Sequence, residues 1–405
     1  MAKLINLTSF RHFFNSSSAS GILLLICVVI SLIIANTQLA TGFINLINME
    51  FGFETATLHL RYPVLLWIND GLMAVFFLLV GLEIKREIVE GELSSIRQAS
   101  LPVLAAIGGV IVPAAIYTIF NTSDTNTGHG WGIPMATDIA FALGILSLLG
   151  NKVPSGLKIF LAALAIVDDL MAILVIAIFY SSDIQLNYLA YAAGVFVLLI
   201  IFNRLGVKNL FFYILPGIVM WYFIHHSGIH ATIAGVLTAL TLPTNNTDTD
   251  SPLEKLEHIL TRPVNFIIMP IFAMANTNIT FESGMLGGLG SNLGIGIILG
   301  LFLGKPIGIF LMSWLSVKLK IAELPAETKW IHVLGLGLLG GIGFTMSIFI
   351  ALLSFQAPAY QTEAKFAILI ASVLAGIAGF TLLSSYNKKQ GQKVAKEISN
   401  AIVNS

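Results

Sequence analysis

The stretch that decides the fold reads GIPMATDIAFALGILSLLG at residues 132–150 and, after a short polar turn, LKIFLAALAIVDDLMAILVI at residues 157–176. Both halves are apolar enough to cross a membrane, yet Asp138 lies within the first and Asp168 and Asp169 lie within the second. A carboxylate at bilayer depth costs about 2.5–3.5 kcal/mol on insertion scales, so these aspartates predict a functional site. The alternative is that they are structural hydrogen-bond partners that tie helices together.

Composition places the chain in the membrane. Of its 405 residues, 56% are hydrophobic and 10% are charged, with a mean hydropathy of +0.89. Soluble domains carry about 25% charged residues, so we predict an all-α integral membrane protein. Lysine plus arginine equals aspartate plus glutamate at 21 each, which gives no reason to expect nucleic acid as a partner. Cys27 is the only cysteine, so an intrachain disulfide and a cysteine-rich metal site are excluded.

Loop charges predict the topology. With twelve transmembrane helices and both termini in the cytoplasm, all but three of the 21 cations fall in cytoplasmic segments. Arg61 and Lys365 fall outside, and Lys305 lies within the tenth apolar run. This distribution satisfies the positive-inside rule. We therefore predict a membrane domain over residues 1–387 and a basic cytoplasmic tail over 388–405 that touches solvent or anionic lipids. The apolar runs lie near 21–38, 64–83, 99–120, 132–149, 156–180, 186–203, 208–225, 228–243, 263–279, 290–316, 331–354 and 364–384.

Two of these runs are poor continuous helices. The fourth contains Pro134, Ala136 and the Thr137–Asp138 pair, and the eleventh contains Gly340, Gly341 and Gly343. Broken backbone at membrane depth is tolerated where it lines a cavity or is buried in protein. Each run is the middle helix of a three-helix unit, at about 99–180 and 290–384, which predicts an inverted-repeat transporter whose broken helices cross near the bilayer midplane. The alternative is that these residues only thin the helices for packing.

Lys305 needs a buried anionic partner. It lies too far from either end of the tenth run to reach the membrane surface easily. A glycine every four residues makes one face of this helix smooth, which favours close contact with another helix. The candidate partners at that depth are Asp138, Asp168 and Asp169. The glycines are Gly296, Gly300, Gly304 and Gly308.

The three carboxylates suggest a chemistry. Adjacent helical residues point about 100° apart, so either Asp168 or Asp169 pairs with Lys305 while the other faces Asp138. Two facing carboxylates, a Thr137 oxygen and free backbone carbonyls suit a small hard cation such as Na+ or Li+. Protons compete for the same carboxylates, and this competition is the minimum required for cation/proton antiport. If both carboxylates are protonated for each cation released, turnover moves net charge.

Charged residues near the predicted cytoplasmic ends of the second and ninth runs form a second group. A mixed set of charges at a membrane rim is either a solvated surface or, with a histidine present, a pH-responsive funnel. On the outer side His225, His226 and His230 are solvated, satisfied within the protein or sensitive to external conditions. The members of the cytoplasmic group are Glu83, Lys85, Arg86, Glu87, Glu90, Glu92, Glu254, Lys255, Glu257 and His258.

Eight stretches in order resemble one family, from about Gly21 to the end of the twelfth run. The chain is similar to NhaA-type Na+/H+ antiporters over this range. The stretches are FFLLVGLEIKREI, LPVLAAIGGVIVPA, IPMATDIAFALG, LKIFLAALAIVDDL, SGIHATIAGV, LEHIL, LGKPIGI and GIGFTMSIFIA. Against the family pattern, SPLEK before LEHIL is less basic, and His225 and His226 are additional titratable groups.

The resemblance implies an electrogenic, pH-regulated Na+(Li+)/H+ antiporter of the bacterial cytoplasmic (inner) membrane, with no cofactor beyond the transported ions. It implies that Asp138 and Asp169, with Thr137, bind the cation and protons, and that Asp168 pairs with Lys305, a possible proton carrier. It also implies a homodimer held partly by an extracellular β-hairpin, for which residues 39–63 are the candidate. The residues that match its pH-sensing positions are Glu83, Arg86, Glu87, Glu257, His258 and His230.

Other functions fit the residues less well. An intramembrane aspartyl protease would need two carboxylates around one water and a Gly-x-Gly-Asp motif, which the sequence lacks. A channel would need a repeated carbonyl filter or a ring of charges. The alternative that remains is a proton-coupled symporter of a small organic anion. It would need a second free cation at membrane depth to hold the substrate carboxylate, and Lys305 is the only cation there.

Overall fold

The computed structural model describes residues 17–55, 58–150, 153–181, 183–244, 251–281 and 285–403, and nearly all of its regular structure is helical. Two short strands, β1 Glu50–Phe51 and β2 Tyr62–Pro63, and a 3-10 segment, Gly128–Met135, are the other elements used below. The helices in chain order are α1 Ser17–Ala35, α2 Ala40–Asn48, α3 Val64–Val89, α4 Ile96–Asn121, α5 Ile139–Leu148, α6 Ser155–Phe179, α7 Leu186–Arg204, α8 Phe211–His225, α9 Ile233–Thr241, α10 Pro252–Asn276, α11 Met285–Gly288, α12 Asn292–Lys318, α13 Trp330–Gly340, α14 Phe344–Ser354 and α15 Pro358–Val403.

The lengths and composition of these helices make the chain a multi-pass membrane protein. Among the described residues, eight helices are long and apolar enough to cross a bilayer, or up to ten if each of two bent pairs counts as one span. The bent pairs are α1 with α2, at 110°, and α13 with α14, at 47°. The predicted cytoplasmic cations Lys3, Arg11 and Lys152 lie outside the described residues. Residues 388–403 of the predicted tail continue α15 as helix.

Strand pairing occupies only the second part of the segment 39–63. Residues Ala40–Asn48 form α2, and β1 then pairs antiparallel with β2 in the register Glu50 to Pro63 and Phe51 to Tyr62. Because β2 leads directly into α3, the hairpin marks one side of the bundle, called here the hairpin side. The other end of α3, about 39 Å away at 1.5 Å per residue, marks the opposite side.

Close backbone contact between α4 and α12 carries Lys305 into the interior. A Cβ added to Gly308 would lie 2.0 Å from the Gly108 carbonyl oxygen, and one added to Gly304 would lie 2.8 Å from Pro113 Cα. Only glycine fits such an approach, so the glycine stripe predicted from the sequence does bring two backbones together. A π-helical turn at Gly300–Gly304 directly precedes Lys305. Its neighbour Pro306 has no N–H to donate and crowds the carbonyl four residues earlier, which favours this local widening.

Two interruptions of the helical backbone meet in the interior. Residues 136–138 separate the 3-10 segment from α5, and residues 341–343 separate α13 from α14. The two interruptions are joined by a hydrogen bond, which Asp138 N donates to the Ile342 carbonyl oxygen at 2.7 Å. Backbone groups freed from the helical ladder are thus satisfied by each other, as burial away from water requires.

Candidate functional site

Lys305 and Asp168 form an ion pair with no exposed side-chain surface. Lys305 Nζ lies 2.6 Å from Asp168 Oδ2 and also donates to the Met135 carbonyl oxygen at the end of the 3-10 segment. The hydroxyl Oγ1 of Thr137 lies 2.7 Å from the same Asp168 oxygen and 2.9 Å from the Gly340 carbonyl oxygen, and it can donate to either. The pair therefore connects α6, α12 and both backbone interruptions.

Asp138 lies between the starts of two helices. As the residue before α5, it accepts a hydrogen bond from Phe141 N through Oδ1 at 3.1 Å. Its Oδ2 accepts from Thr345 N at 3.2 Å and from the Thr345 hydroxyl, at the start of α14. Free N–H groups and the positive ends of two helix dipoles stabilise a negative charge in this position. These contacts offset part of the cost of burying Asp138 in its ionised form.

The positive charge of Lys305 lies at the other ends of the broken helices. Met135, whose carbonyl binds Nζ, ends the 3-10 segment, and Gly340, whose carbonyl contacts Thr137, ends α13. The carbonyl end of a helix carries partial negative charge, so the crossing favours a cation on one side and an anion on the other. Main-chain dipoles thus offset part of the cost of burying these charges.

Asp169 is the buried carboxylate without a partner. It is 1% exposed, and its buried Oδ1 has no hydrogen-bond partner among the described residues. It lines a cavity of about 200 Å³ together with Asp138 and Thr137. The charged residues of the cavity lining are Glu83, Asp138 and Asp169, all acidic. Because a buried carboxylate without a donor is costly as an anion, Asp169 has the chemistry of a cation or proton acceptor.

The predicted pH-sensing residues are only partly brought together. Arg86 donates to Glu257 and, at 3.2 Å, to Glu87, which links α3 to α10 on the opposite side of the bundle. Glu83, one turn before Glu87, is not at a solvated rim but lines the cavity of Asp169. His258 is exposed and forms no hydrogen bond or ion pair with this cluster among the residues that the structure describes. Its neighbour in the sequence, Glu257, is buried because consecutive residues of α10 face different directions.

His230 belongs to a separate cluster on the hairpin side. Its Nε2 lies 3.7 Å from Asp70 Oδ1, while His225 Nδ1 lies 3.1 Å from Asp70 Oδ2. The His225 ring stacks on Trp221 at 5.6 Å between centroids. Asp70 is not among the residues predicted from the sequence, although it is an aspartate inside the apolar run 64–83, the same signal that identifies Asp138. The cluster shares no residue with the lining of the Asp169 cavity.

Known proteins match this chain over most of its length. The sequence model of the family described as Na+/H+ antiporter 1 matches residues 11–383. The Na+/H+ antiporter NhaA 2 of Flavobacterium johnsoniae is 77% identical over 393 residues, which are 97% of this chain and 96% of that protein. The chain belongs to the Na+/H+ antiporter 1 family. This antiporter is also similar to NhaA of Flavobacterium psychrophilum, at 51% identity over 371 residues, 92% of this chain and 94% of that protein. NhaA 1 of F. johnsoniae is 51% identical over 375 residues, 93% of this chain and 96% of that protein.

Family membership decides between the broad function classes. Members are transporters rather than enzymes, so the antiporter is not an intramembrane protease, although it has paired aspartates at membrane depth. Na+ and H+ are the ions that the family name implies.

Proposed function

We propose that the chain exchanges cytoplasmic Na+ or Li+ for external protons at Asp138 and Asp169. The observation that carries the proposal is the free carboxylate of Asp169, which is buried, unpartnered and in one cavity with Asp138. As an anion it requires a positive charge in the cavity, either a metal cation or a proton. Carboxylate, hydroxyl and backbone oxygens near by are the ligands that small hard cations prefer.

The two carboxylates have different roles in this mechanism. Donors from two helix starts stabilise the charge of Asp138, so it is the harder of the two carboxylates to protonate. Asp169 has no such donors. In the proposed cycle its charge is neutralised by Na+ or Li+ in one half and by a proton in the other. Thr137 lines the cavity and contacts Asp168, so it supplies an oxygen to the cation or holds Asp168 in place.

The proposed exchange is electrogenic if both carboxylates are protonated for each cation released. The Lys305–Asp168 pair is neutral overall, which leaves the charges of Asp138 and Asp169 to be balanced by the cargo. If two protons replace one Na+, each turnover moves one net charge across the membrane, worth about 2.3 kcal/mol per 100 mV. The membrane potential would then drive Na+ extrusion. Lys305 is a possible proton carrier only if it leaves Asp168 during the cycle.

We also propose the finer architecture that the sequence predicts. The eight candidate spans, the two bent pairs and the shorter helices α8 and α9 together make twelve crossings, with both termini in the cytoplasm. The hairpin side is then external, and the opposite side, where Glu83 reaches the cavity, is cytoplasmic. The units at about 99–180 and 290–384 are the inverted repeats, and Asp138 N to Ile342 O is a contact between them.

We assign regulation by pH to the cluster of Arg86, Glu87 and Glu257, because Glu87 lies one helical turn from Glu83, which lines the cavity. His230, with Asp70 on the other side, is a second candidate.

We further propose a homodimer in the bacterial inner membrane that uses the hairpin β1–β2, and contact of the basic tail with anionic lipids. The symport alternative is disfavoured because the charged residues that line the cavity are acidic and would repel an organic anion.

The proposal is tested by measuring exchange in proteoliposomes that contain only this protein. A proton gradient is set up in advance, and a pH-sensitive dye reports its size. Addition of Na+ or Li+ should collapse the gradient, while K+ or choline should not. A parallel experiment with a potential-sensitive dye should show that turnover moves charge. No response to Na+ at any pH near neutrality would contradict the proposal, and uptake of organic acids would then be examined.

A further inference from the structure

Tyr180, the residue after α6, connects that helix to the 3-10 segment on the hairpin side. Its hydroxyl donates to the His129 carbonyl oxygen at 2.8 Å and accepts from Gly132 N at 3.3 Å. The adjacent Phe179 adds an edge-to-face contact with Trp131 at 5.1 Å between centroids. The same helix carries Asp168 and Asp169, about 18 Å earlier at 1.5 Å per residue.

The 3-10 segment is held from a second side by α14. The Ser347 hydroxyl donates to the Ile133 carbonyl oxygen at 2.7 Å. Short 3-10 segments have weaker internal hydrogen bonds than α-helices, so external contacts of this kind decide where the segment lies. At its far end, the Met135 carbonyl binds Lys305, and residues 136–138 lead directly to Asp138. Displacement of the segment therefore displaces groups of the ion site.

The contact between Tyr180 and the segment leaves no spare room. A Cβ added to Gly132 would lie 2.7 Å from the Tyr180 hydroxyl oxygen, whereas the nearest other atoms would lie at 3.4 Å or more. Residue 132 must therefore be small because of the Tyr180 hydroxyl, and not because of backbone atoms or apolar side chains near by. Two points then set the position of the broken helix against α6, namely Thr137 with Asp168 at the crossing and Gly132 with Tyr180 at the end.

We propose that the Tyr180 hydroxyl is a positioning group for the cation site, which fixes the 3-10 segment and so the place of Met135, Thr137 and Asp138 relative to Asp169. This inference rests on the proposed function, because it assigns Tyr180 to the same site. Tyr180 does not touch the cation. It acts through the backbone of the segment that carries the ligands, so its loss lowers affinity for the cation more than it lowers the maximal rate.

The test compares Tyr180→Phe with Tyr213→Phe. The second variant removes a hydrogen bond from a tyrosine hydroxyl to a backbone carbonyl, that of Val207, in another part of the chain. Exchange is measured in proteoliposomes at fixed pH over a range of Na+ concentrations. Loss of the two hydrogen bonds of the Tyr180 hydroxyl should raise the half-saturating Na+ concentration roughly three- to tenfold for Tyr180→Phe. Tyr213→Phe should leave it unchanged, even though both variants lose similar thermal stability.

The single substitution Gly132→Ala keeps the inference testable if Tyr180→Phe is poorly folded. Gly132→Ala should raise the half-saturating Na+ concentration in the wild-type background, since its methyl group meets the hydroxyl. In the Tyr180→Phe background the alanine should add little, because the oxygen is gone. Additive effects, or an unshifted Tyr180→Phe beside an active wild type, would overturn this inference alone. Absence of Na+ exchange in the wild type would overturn the proposed function and this inference with it.

Discussion

Asp168 Oδ2 and Lys305 Nζ lie 2.6 Å apart, and neither side chain has any exposed surface. Burial of two charges is costly, and removal of one partner leaves the other uncompensated. The other contacts of the pair, the Met135 carbonyl and the Thr137 hydroxyl, both come from the interrupted fourth run. The ion pair therefore joins α6 and α12 to the crossing of the broken helices.

The pair should be needed for stability. We expect Asp168→Asn to lower the free energy of unfolding by about 3–5 kcal/mol, because Lys305 is left as an unpaired buried cation. The double variant Asp168→Asn with Lys305→Gln should recover much of this loss, since no charge remains to be compensated. Thermal unfolding in detergent measures both. An unchanged unfolding temperature in Asp168→Asn would contradict the structural importance of the pair.

Asp169→Asn should abolish Na+-dependent exchange without loss of stability. The substitution removes the carboxylate that the cargo neutralises, and no hydrogen bond to the described residues is lost with it. Na+ should raise the unfolding temperature of the wild type by mass action and fail to do so in the variant. Dye measurements in proteoliposomes give the exchange rate. Wild-type rates in this variant would remove Asp169 from the cation site.

Asp138→Asn should also abolish exchange, but at a cost in stability. Two backbone amides and the Thr345 hydroxyl donate to this carboxylate, and an asparagine offers one acceptor oxygen in place of two. We expect a loss of about 1–3 kcal/mol in the free energy of unfolding. The contrast with Asp169→Asn is the informative result. Equal stability of the two variants would mean that the helix-start donors do not hold Asp138 as described.

Glu257→Gln should shift the pH profile of exchange toward lower pH. Removal of a negative charge near Glu83 favours the deprotonated form of the carboxylates in the cavity, and at this range the shift should be about half a pH unit. Glu323→Gln is the matched control, because it removes a carboxylate that pairs with an arginine, Arg97, at an exposed site outside this cluster. The profile of initial rates against pH, at saturating Na+, distinguishes them. Equal shifts in both variants would argue against a specific role for the Arg86–Glu257 contact.

The hairpin should loosen at low pH. Burial lowers the pKa of the His226 imidazole, whose Nε2 lies 3.3 Å from the Tyr62 hydroxyl, and nearby His225 also lowers it. The folded state therefore favours the neutral form of His226. The stability that this neutral imidazole contributes to the folded hairpin is fully present above the ordinary pKa of about 6.5 and is lost as the pH falls toward the lowered pKa.

Hydrogen–deuterium exchange measures this effect at the hairpin amides, for example Leu60 N, which donates to Phe53 O. After correction for intrinsic rates, these amides should be less protected at pH 5.5 than at pH 7.5. His226→Gln should remove the pH-dependent part of the difference. Equal pH dependence in the variant and the wild type would assign the effect to other groups.

The sequence predicts the membrane character and the buried ionisable residues because both depend on local composition. A run of apolar residues long enough to span a bilayer is visible without knowledge of its neighbours. An aspartate or lysine within such a run is equally visible, as Asp138 and Lys305 show. Asp70 is the counterexample, since it carries the same local signal, but only the structure shows its imidazole partners.

Contacts between distant segments could not be predicted from periodicity. Helix geometry requires Asp168 and Asp169 to point in different directions, but it does not say which of them faces Lys305. The packing of α12 against α4 decides that question, through glycines that let Lys305 enter next to α6. In the same way, the position of Glu83 depends on how α3 packs beside the cavity rather than on its place near the end of an apolar run.

The amino-acid sequence by itself determined that this chain lies in a membrane, that it belongs to a known antiporter family, and that a few carboxylates and one lysine lie where charge is costly. Tertiary structure alone decided which of these charges are compensated. Asp138 is held by two helix starts and Asp168 by Lys305, while Asp169 faces a cavity without a donor. The physical reason is that desolvation depends on local hydrophobicity, which sequence shows, whereas compensation depends on atoms brought within about 3 Å from distant parts of the chain.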